Sequence, residues 1–268
     1  MGALTWAPAL RRRVPLSATA WLVFAAAFFL IPIAATIEFS LRTGAASHGF
    51  AAYGQILHDQ QFWHTLWVSV RLALETIGIA LGLLVPTLYW VHLRAPRLRP
   101  AVALLCVLPF IVPPVVLVVG LLDVYRGAPE WFIATPQFLV AGYVVLAFPY
   151  VFFSLDAGFR AIDVRTLSEA AQSLGAGWLT TLVRVVLPNL RAAALGGALL
   201  TFAIVLGEFT MANLSLFNTF SVYVNYVGET QATPAAALAV ISFVLTWGVM
   251  LAFVTVSRRR GATLAEGR

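Results

Sequence analysis

The chain has 268 residues, 61% of them hydrophobic and only 10% charged, where a soluble domain carries about 25% charged residues, so the composition points to one helical bundle in lipid. All 17 basic residues are arginine; without lysine, a phosphate loop of the form G-x-x-x-x-G-K-[ST] and Schiff-base catalysis are both excluded. The net charge of +6 sits in short arginine runs between apolar segments, which reads as topology control and excludes a nucleic-acid-binding face.

Residues 1–16 form an expected tail containing Arg11, Arg12 and Arg13. The apolar stretch that follows, 17–40, is too long for a signal-peptide core and ends at Ile37-Glu38-Phe39 without a small-residue cleavage site. It is expected to be an uncleaved first span. A span needs about 20 mostly apolar residues to cross about 30 Å of hydrocarbon. Five further stretches qualify, near 62–93, 100–122, 137–157, 190–214 and 235–257. The second is long for one crossing and is expected to tilt or to extend beyond the bilayer. Pro32, Pro86, Pro109, Pro113, Pro114 and Pro149 fall inside spans. Each removes a backbone donor, and Pro113-Pro114 should bend the third span most. One transmembrane domain is therefore expected over 17–257, with a long loop at 158–189 and a closing tail at 258–268.

Orientation follows from the arginines. With the N-terminus inside, Arg11, Arg12, Arg13, Arg94, Arg97, Arg99, Arg160, Arg165, Arg184, Arg191, Arg258, Arg259, Arg260 and Arg268 lie on the cytoplasmic side. Arg42 and Arg126 alone lie outside. Both termini are thus expected in the cytoplasm. Cys106 is the sole cysteine, so no intrachain disulfide can form and a packing role is expected. His48, His58, His64 and His92 lack metal-ligand spacing, and neither H-E-x-x-H nor G-x-S-x-G occurs, so no enzyme site is legible.

Arg71, Glu75 and Glu208 fall at membrane depth. Arg71 and Glu75 are four apart in the second span and share a face, either as a structural ion pair or as lining of a solute path. Glu208 lies in the fifth span with Asn213 beyond it; ionisable groups in lipid face a bundle interior or a water-filled path, and Glu208 is expected to line the path. Gly78 and Gly82 form a G-x-x-x-G suited to close helix packing, within the chain or between subunits. In the external loop from Leu214 to Thr233, Phe217, Phe220, Tyr223 and Tyr226 suit either an interfacial aromatic belt or a contact for a docking protein.

The loop 158–189 is the most informative segment. Thr166 or Ser168 is expected to cap a short helix containing Glu169, Ala170 and Ala171. Paired alanines give high helix propensity with little bulk, so another surface can come close to the backbone. Gly175 and Gly177 should end this helix. A second helix should run from Trp178 to Val186 and stop at Leu187-Pro188. Glu169-Ala170-Ala171, three residues, Gly175, nine residues and then Val185-Val186-Leu187-Pro188 resembles the E-A-A, G, I-x-L-P loop of binding-protein-dependent, type I ABC importer permeases. Val185 stands at the isoleucine position. The resemblance extends to the six spans, to the Phe62-Trp63-His64-Thr65-Leu66-Trp67 opening of the second, and to Gly207-Glu208-Phe209 in the fifth.

That resemblance implies an all-α, polytopic fold with six transmembrane helices in the bacterial inner membrane. It implies a non-catalytic subunit that works by alternating access. The expected partners are an ABC ATPase dimer, which binds ATP and Mg, a second permease subunit (a paralogue or an identical copy), an extracytoplasmic solute-binding protein and the bilayer; no cofactor is expected in this chain. The loop becomes the coupling helix that docks on the ATPase, with Glu169, Ala170, Ala171, Gly175, Leu187 and Pro188 as its motif residues. Arg71, Glu75, Glu208 and Asn213 are the candidate pathway residues. Phe148-Pro149-Tyr150, the run from Ile162-Asp163 to Gly175, and Asn218-Thr219-Phe220 to Tyr223-Val224 look most like spermidine and putrescine permeases. Related permeases move sulfate, molybdate, ferric iron or thiamine. A secondary transporter would normally show two similar halves, and no internal repeat is legible.

Overall fold

The computed structural model describes residues 16–42 and 47–262. Of the expected tails, 1–15, with Arg11, Arg12 and Arg13, and 263–268, with Arg268, lie outside the described residues. Regular structure is helical, and no strand occurs among the described residues. The elements are α1 (Leu16–Ser40), α2 (Ala51–His58), α3 (Gln60–Arg94), α4 (Arg99–Val107), α5 (Pro114–Val124), α6 (Glu130–Ile133), α7 (Phe138–Ala161) and α8 (Val164–Ser173). They continue with α9 (Trp178–Thr181), α10 (Leu187–Asn189), α11 (Arg191–Gly207), α12 (Thr210–Leu214), α13 (Phe220–Thr230) and α14 (Ala232–Ala262). Four of these are long and apolar enough to cross a membrane alone, and the number rises to six if two bent pairs each count as one span. In lipid every backbone polar group must be satisfied internally, so apolar stretches of this length fold as helices.

The second expected span is α3, whose 35 residues reach about 52 Å at 1.5 Å each and so outrun the hydrocarbon. Asp59 starts it by accepting from the Gln61 N–H at 2.8 Å. Pro86 does not stop it. The third expected span is not one kinked helix: Pro96–Phe110 and Pro114–Val124 meet at 102°. Pro113 takes extended angles there, as a residue preceding proline tends to do, so the bend falls where the paired prolines put it but is a break. The fifth span is likewise interrupted. α11 ends at Gly207 and Glu208 is extended (φ −75°, ψ 111°) before α12 begins. The fourth expected span runs on to Ala161, so 158–161 belong to α7 rather than to the loop. α14 continues past 257 to Ala262.

Helices α3, α7 and α11 pack on one another and form the centre of the bundle. α7 and α11 approach closely: a Cβ on Gly197 would sit 3.1 Å from the Val151 Cα, and Ser154 Oγ donates to the Ala193 carbonyl at 2.6 Å. Two apolar clusters fill the bundle. One contains Phe62, Leu72, Phe138, Tyr143 and Phe202. The other contains Leu88, Tyr89, Phe152, Phe159 and Leu190, with Cys106 buried among them as expected. α1 rests on α14 at the side of this bundle, and the most apolar stretch of α1 buries none of its residues.

Candidate functional site

The loop after α7 folds as a run of short helices. Its first helix, α8, is capped by Asp163 and not by Thr166 or Ser168: the Asp163 carboxylate accepts from the Thr166 N–H at 3.1 Å and the Thr166 hydroxyl at 2.7 Å. The Thr166 hydroxyl and backbone N–H hold the Asp163 carboxyl below its ordinary range. Ser168 instead points inward and donates to the Val164 carbonyl at 2.7 Å. Val164, Ser168 and Ala171 are buried and share one face at i, i+4, i+7 spacing. The two alanines of the motif therefore separate: Ala171 packs inside its own chain, and Ala170 is exposed.

Gly175 has φ +83°, the left-handed region where a Cβ is disfavoured. The Ala176 N–H bonds the Ala171 carbonyl at 3.0 Å and the Gly175 N–H bonds the Gln172 carbonyl at 2.9 Å. This is the double closure of a Schellman motif. Gly177 does not end α8; it precedes α9 as its cap. Leu187-Pro188 does not stop the second helix either. A π-helical turn, Leu182–Val186, leads into α10, a local adjustment of the kind that re-satisfies backbone beside a proline. The chain turns only after Asn189, by 76°, to enter α11. Glu169 is paired with Arg165 at 2.9 Å, and both side chains are largely exposed.

Glu208 is 8% exposed. Its carboxylate accepts from the Met211 N–H through both oxygens, at 2.9 and 3.1 Å, and from the Ala212 N–H at 3.4 Å. It thereby caps α12 across the break. Ser221 Oγ closes the other side by donating to the Glu208 carbonyl at 2.6 Å. Glu208 also lines a cavity of about 590 Å³ bounded by both breaks, with Phe110, Pro113 and Pro114 on one wall, Tyr150 of α7 on another, and Phe209 and Thr210 beside it. No basic side chain lines this cavity among the described residues.

The other candidate pathway residues do not converge on it. Arg71 Nε pairs with Glu75 Oε1 at 2.7 Å, but the Arg71 side chain is 57% exposed, so the pair faces out of this chain rather than into its bundle. Gly78 and Gly82 lie further along α3, and a methyl group added at either would meet nothing within 4 Å; this G-x-x-x-G does not pack within the chain. Asn213 is exposed on α12.

Residues 77–261 match the family described as the binding-protein-dependent transport system inner membrane component. The chain belongs to this family. It is 27% identical over 215 residues to the spermidine/putrescine transport system permease protein PotB of Haemophilus influenzae, across 72% of this chain and 73% of that protein. It is 29% identical over 233 residues to the inner membrane ABC transporter permease protein YcjO of Escherichia coli, across 76% and 77%. Against the molybdenum transport system permease protein ModB of Azotobacter vinelandii it is 32% identical over 161 residues, across 53% and 69%. A solved bacterial ABC transporter involved in import of the acidic polysaccharide alginate superimposes with a TM-score of 0.67 at 18% identity, covering 90% of this chain and 94% of that one. The fold is that of a type I ABC importer permease.

The permease contains one polar cluster that sequence reading missed. Asp156 of α7 is 2% exposed. Arg99 grips it through two bonds, Nε to Oδ1 at 2.7 Å and Nη2 to Oδ2 at 2.8 Å. His92 Nε2 lies 3.2 Å from Oδ1, and Arg160 Nη2 lies 3.0 Å from Oδ2. The available signal was an aspartate in an apolar helix, Phe-Phe-Ser-Leu-Asp156, which in lipid requires a partner. Arg160 is its i,i+4 neighbour on the same helix, but Arg99 and His92 are 57 and 64 residues away in sequence, so no local pattern could name those two.

Proposed function

We propose that the chain is the membrane-spanning subunit of an ABC importer in the inner membrane, with both termini in the cytoplasm. It receives solute from an extracytoplasmic binding protein and takes its motion from a separate ATPase dimer through α8. A second permease subunit, identical or paralogous, completes the path. The observation that carries this reading is the shape of the loop: a short helix closed by a Schellman turn, with Ala170 exposed and Leu174 89% exposed at its tip. Leu174 is joined by exposed Trp178, Leu179 and Val183 in the same loop, an apolar content that suits docking on another protein. Glu169 adds little to such docking, because an exposed pair is worth about 0–1 kcal/mol. Co-expression with an ATPase encoded beside this gene tests the reading: the two should co-purify, and replacement of Leu174 by aspartate should release the ATPase while the permease still inserts. Orientation is tested with a reporter active only outside the cell, which should be silent after Arg260 and active near Gly44, a position outside the described residues.

For the solute, the reading is a polyamine such as spermidine or putrescine. The cavity at the two breaks offers one carboxylate and the rings of Phe110, Tyr150 and Phe209, chemistry that favours a cation. The similarity to PotB over 72% of the chain points the same way. The similarity to ModB supports molybdate as the second reading, but an oxyanion would enter the cavity without a basic side chain to meet it. Spermidine should stimulate ATP hydrolysis by the complex with its binding protein present. Stimulation by molybdate and not by spermidine removes the polyamine assignment.

A further inference from the structure

We infer that Asp156 is the positioning residue through which movement of the coupling loop reaches the third span, an inference that rests on the coupling reading of α8. Tyr89 and His92 lie three apart on α3 and so point from one face. Tyr89, wholly buried, holds α8: its hydroxyl lies 3.0 Å from Ser168 Oγ. His92 holds Asp156 and stacks on Phe159 at 5.1 Å. Asp156 in turn grips Arg99, the first residue of α4. α4 leads directly to the break at Pro109–Pro114 that walls the Glu208 cavity. A displacement of α8 therefore acts on the end of α3; the short connection 95–98 joins that end to α4, and the Asp156 carboxylate adds the side-chain tie that fixes the start of the third span against α3 and α7.

The electrostatics make this tie dependent on Asp156. Two guanidiniums and an imidazole surround one nearly buried carboxylate. Without its charge the cations repel one another, and the start of α4 loses its paired hydrogen bonds to α7. Arg160 provides the control. It binds the same carboxylate but stands four residues along the same helix, so it ties no two elements together.

The test uses the permease assembled with its ATPase, in a background with Cys106 replaced by alanine. Spin labels at Gln172 on α8 and Leu104 on α4, both exposed, are each measured against Trp247 on α14. In the unsubstituted complex both distances should shift on trapping with ATP and vanadate. In Arg99→Gln the Gln172 shift should persist, while the ratio of molecules that show the Leu104 shift to those that do not falls about two- to thirty-fold, the range that follows from coupling changes along such networks. In Arg160→Gln both shifts should remain. A Leu104 shift unchanged in Arg99→Gln, or lost equally in Arg160→Gln, overturns the inference. If Arg99→Gln does not assemble, Tyr89→Phe carries the test, since it deletes one hydroxyl; an unchanged Leu104 shift there overturns the inference too. Failure of the Gln172 label to move in the unsubstituted complex would instead refute the coupling reading of α8.

Discussion

Glu208 offers the sharpest separation of a structural from a pathway role. Its carboxylate satisfies the Met211 and Ala212 N–H groups, and both residues are fully buried. Glu208→Ala leaves those donors facing a space without an acceptor. One good charge-assisted bond is worth about 1.5–3 kcal/mol, and an orphaned buried donor costs about 1–3 kcal/mol. The 3.4 Å contact to Ala212 adds little at that length. The expected destabilisation is about 2–4 kcal/mol for alanine. Glu208→Gln keeps an acceptor oxygen at the same reach and loses only the charge assistance, so it should cost about 1 kcal/mol. The assay is the thermal unfolding midpoint of the purified subunit in detergent, paired with solute uptake per folded complex. Glutamine should be close to wild type in stability yet reduced in uptake if the charge also serves a cationic solute. Equal destabilisation by glutamine and alanine would refute the capping argument. Normal uptake in Glu208→Gln would show that its charge serves the fold alone.

Four further outcomes follow from the geometry. Gly175→Val should disrupt the loop after α7 without any clash, since nothing lies within 4 Å of the added Cβ and the strain comes from φ +83°; the backbone cost is about 1–2 kcal/mol, readable as faster amide exchange at Ala176. Ala170→Trp should leave the unfolding midpoint unchanged and abolish co-purification of the ATPase, whereas Ala171→Trp should lower the midpoint by overpacking an inward face, about 1–3 kcal/mol. Gly197→Leu should destabilise the α7–α11 contact by a similar overpacking cost of about 1–3 kcal/mol, and normal yield and midpoint would contradict the 3.1 Å approach to Val151. The Asp163 carboxyl is held below its ordinary range. Its cap should therefore be fully formed above the unfolded value of about 3.9 and lost as pH falls through the lower folded value; amide protection at Thr166 that is flat across that window would contradict the cap.

Much of this permease is legible because its constraints are local. Six apolar stretches announce spans, since a backbone in lipid has to satisfy its own hydrogen bonds within each segment. Gly175 could be placed from sequence because a left-handed helix end is a property of one residue and its neighbours, and the E-A-A, G, I-x-L-P spacing carried the family for the same reason. The paired prolines located the break in the third span, but its 102° depth depends on the helices that receive the two halves. Hydropathy averages across Gly207-Glu208-Phe209 and so joined α11 to α12; the break exists because a carboxylate can replace the missing helical bonds by capping the next turn. Which alanine of the pair faces outward was settled only by the packing of Val164, Ser168 and Ala171 inside the chain. The Asp156 cluster lies furthest from the sequence's reach: Arg160 is a neighbour on the same helix, but Arg99 and His92 come to it only when α3, α4 and α7 converge, because a desolvated charge also needs whatever folding brings beside it.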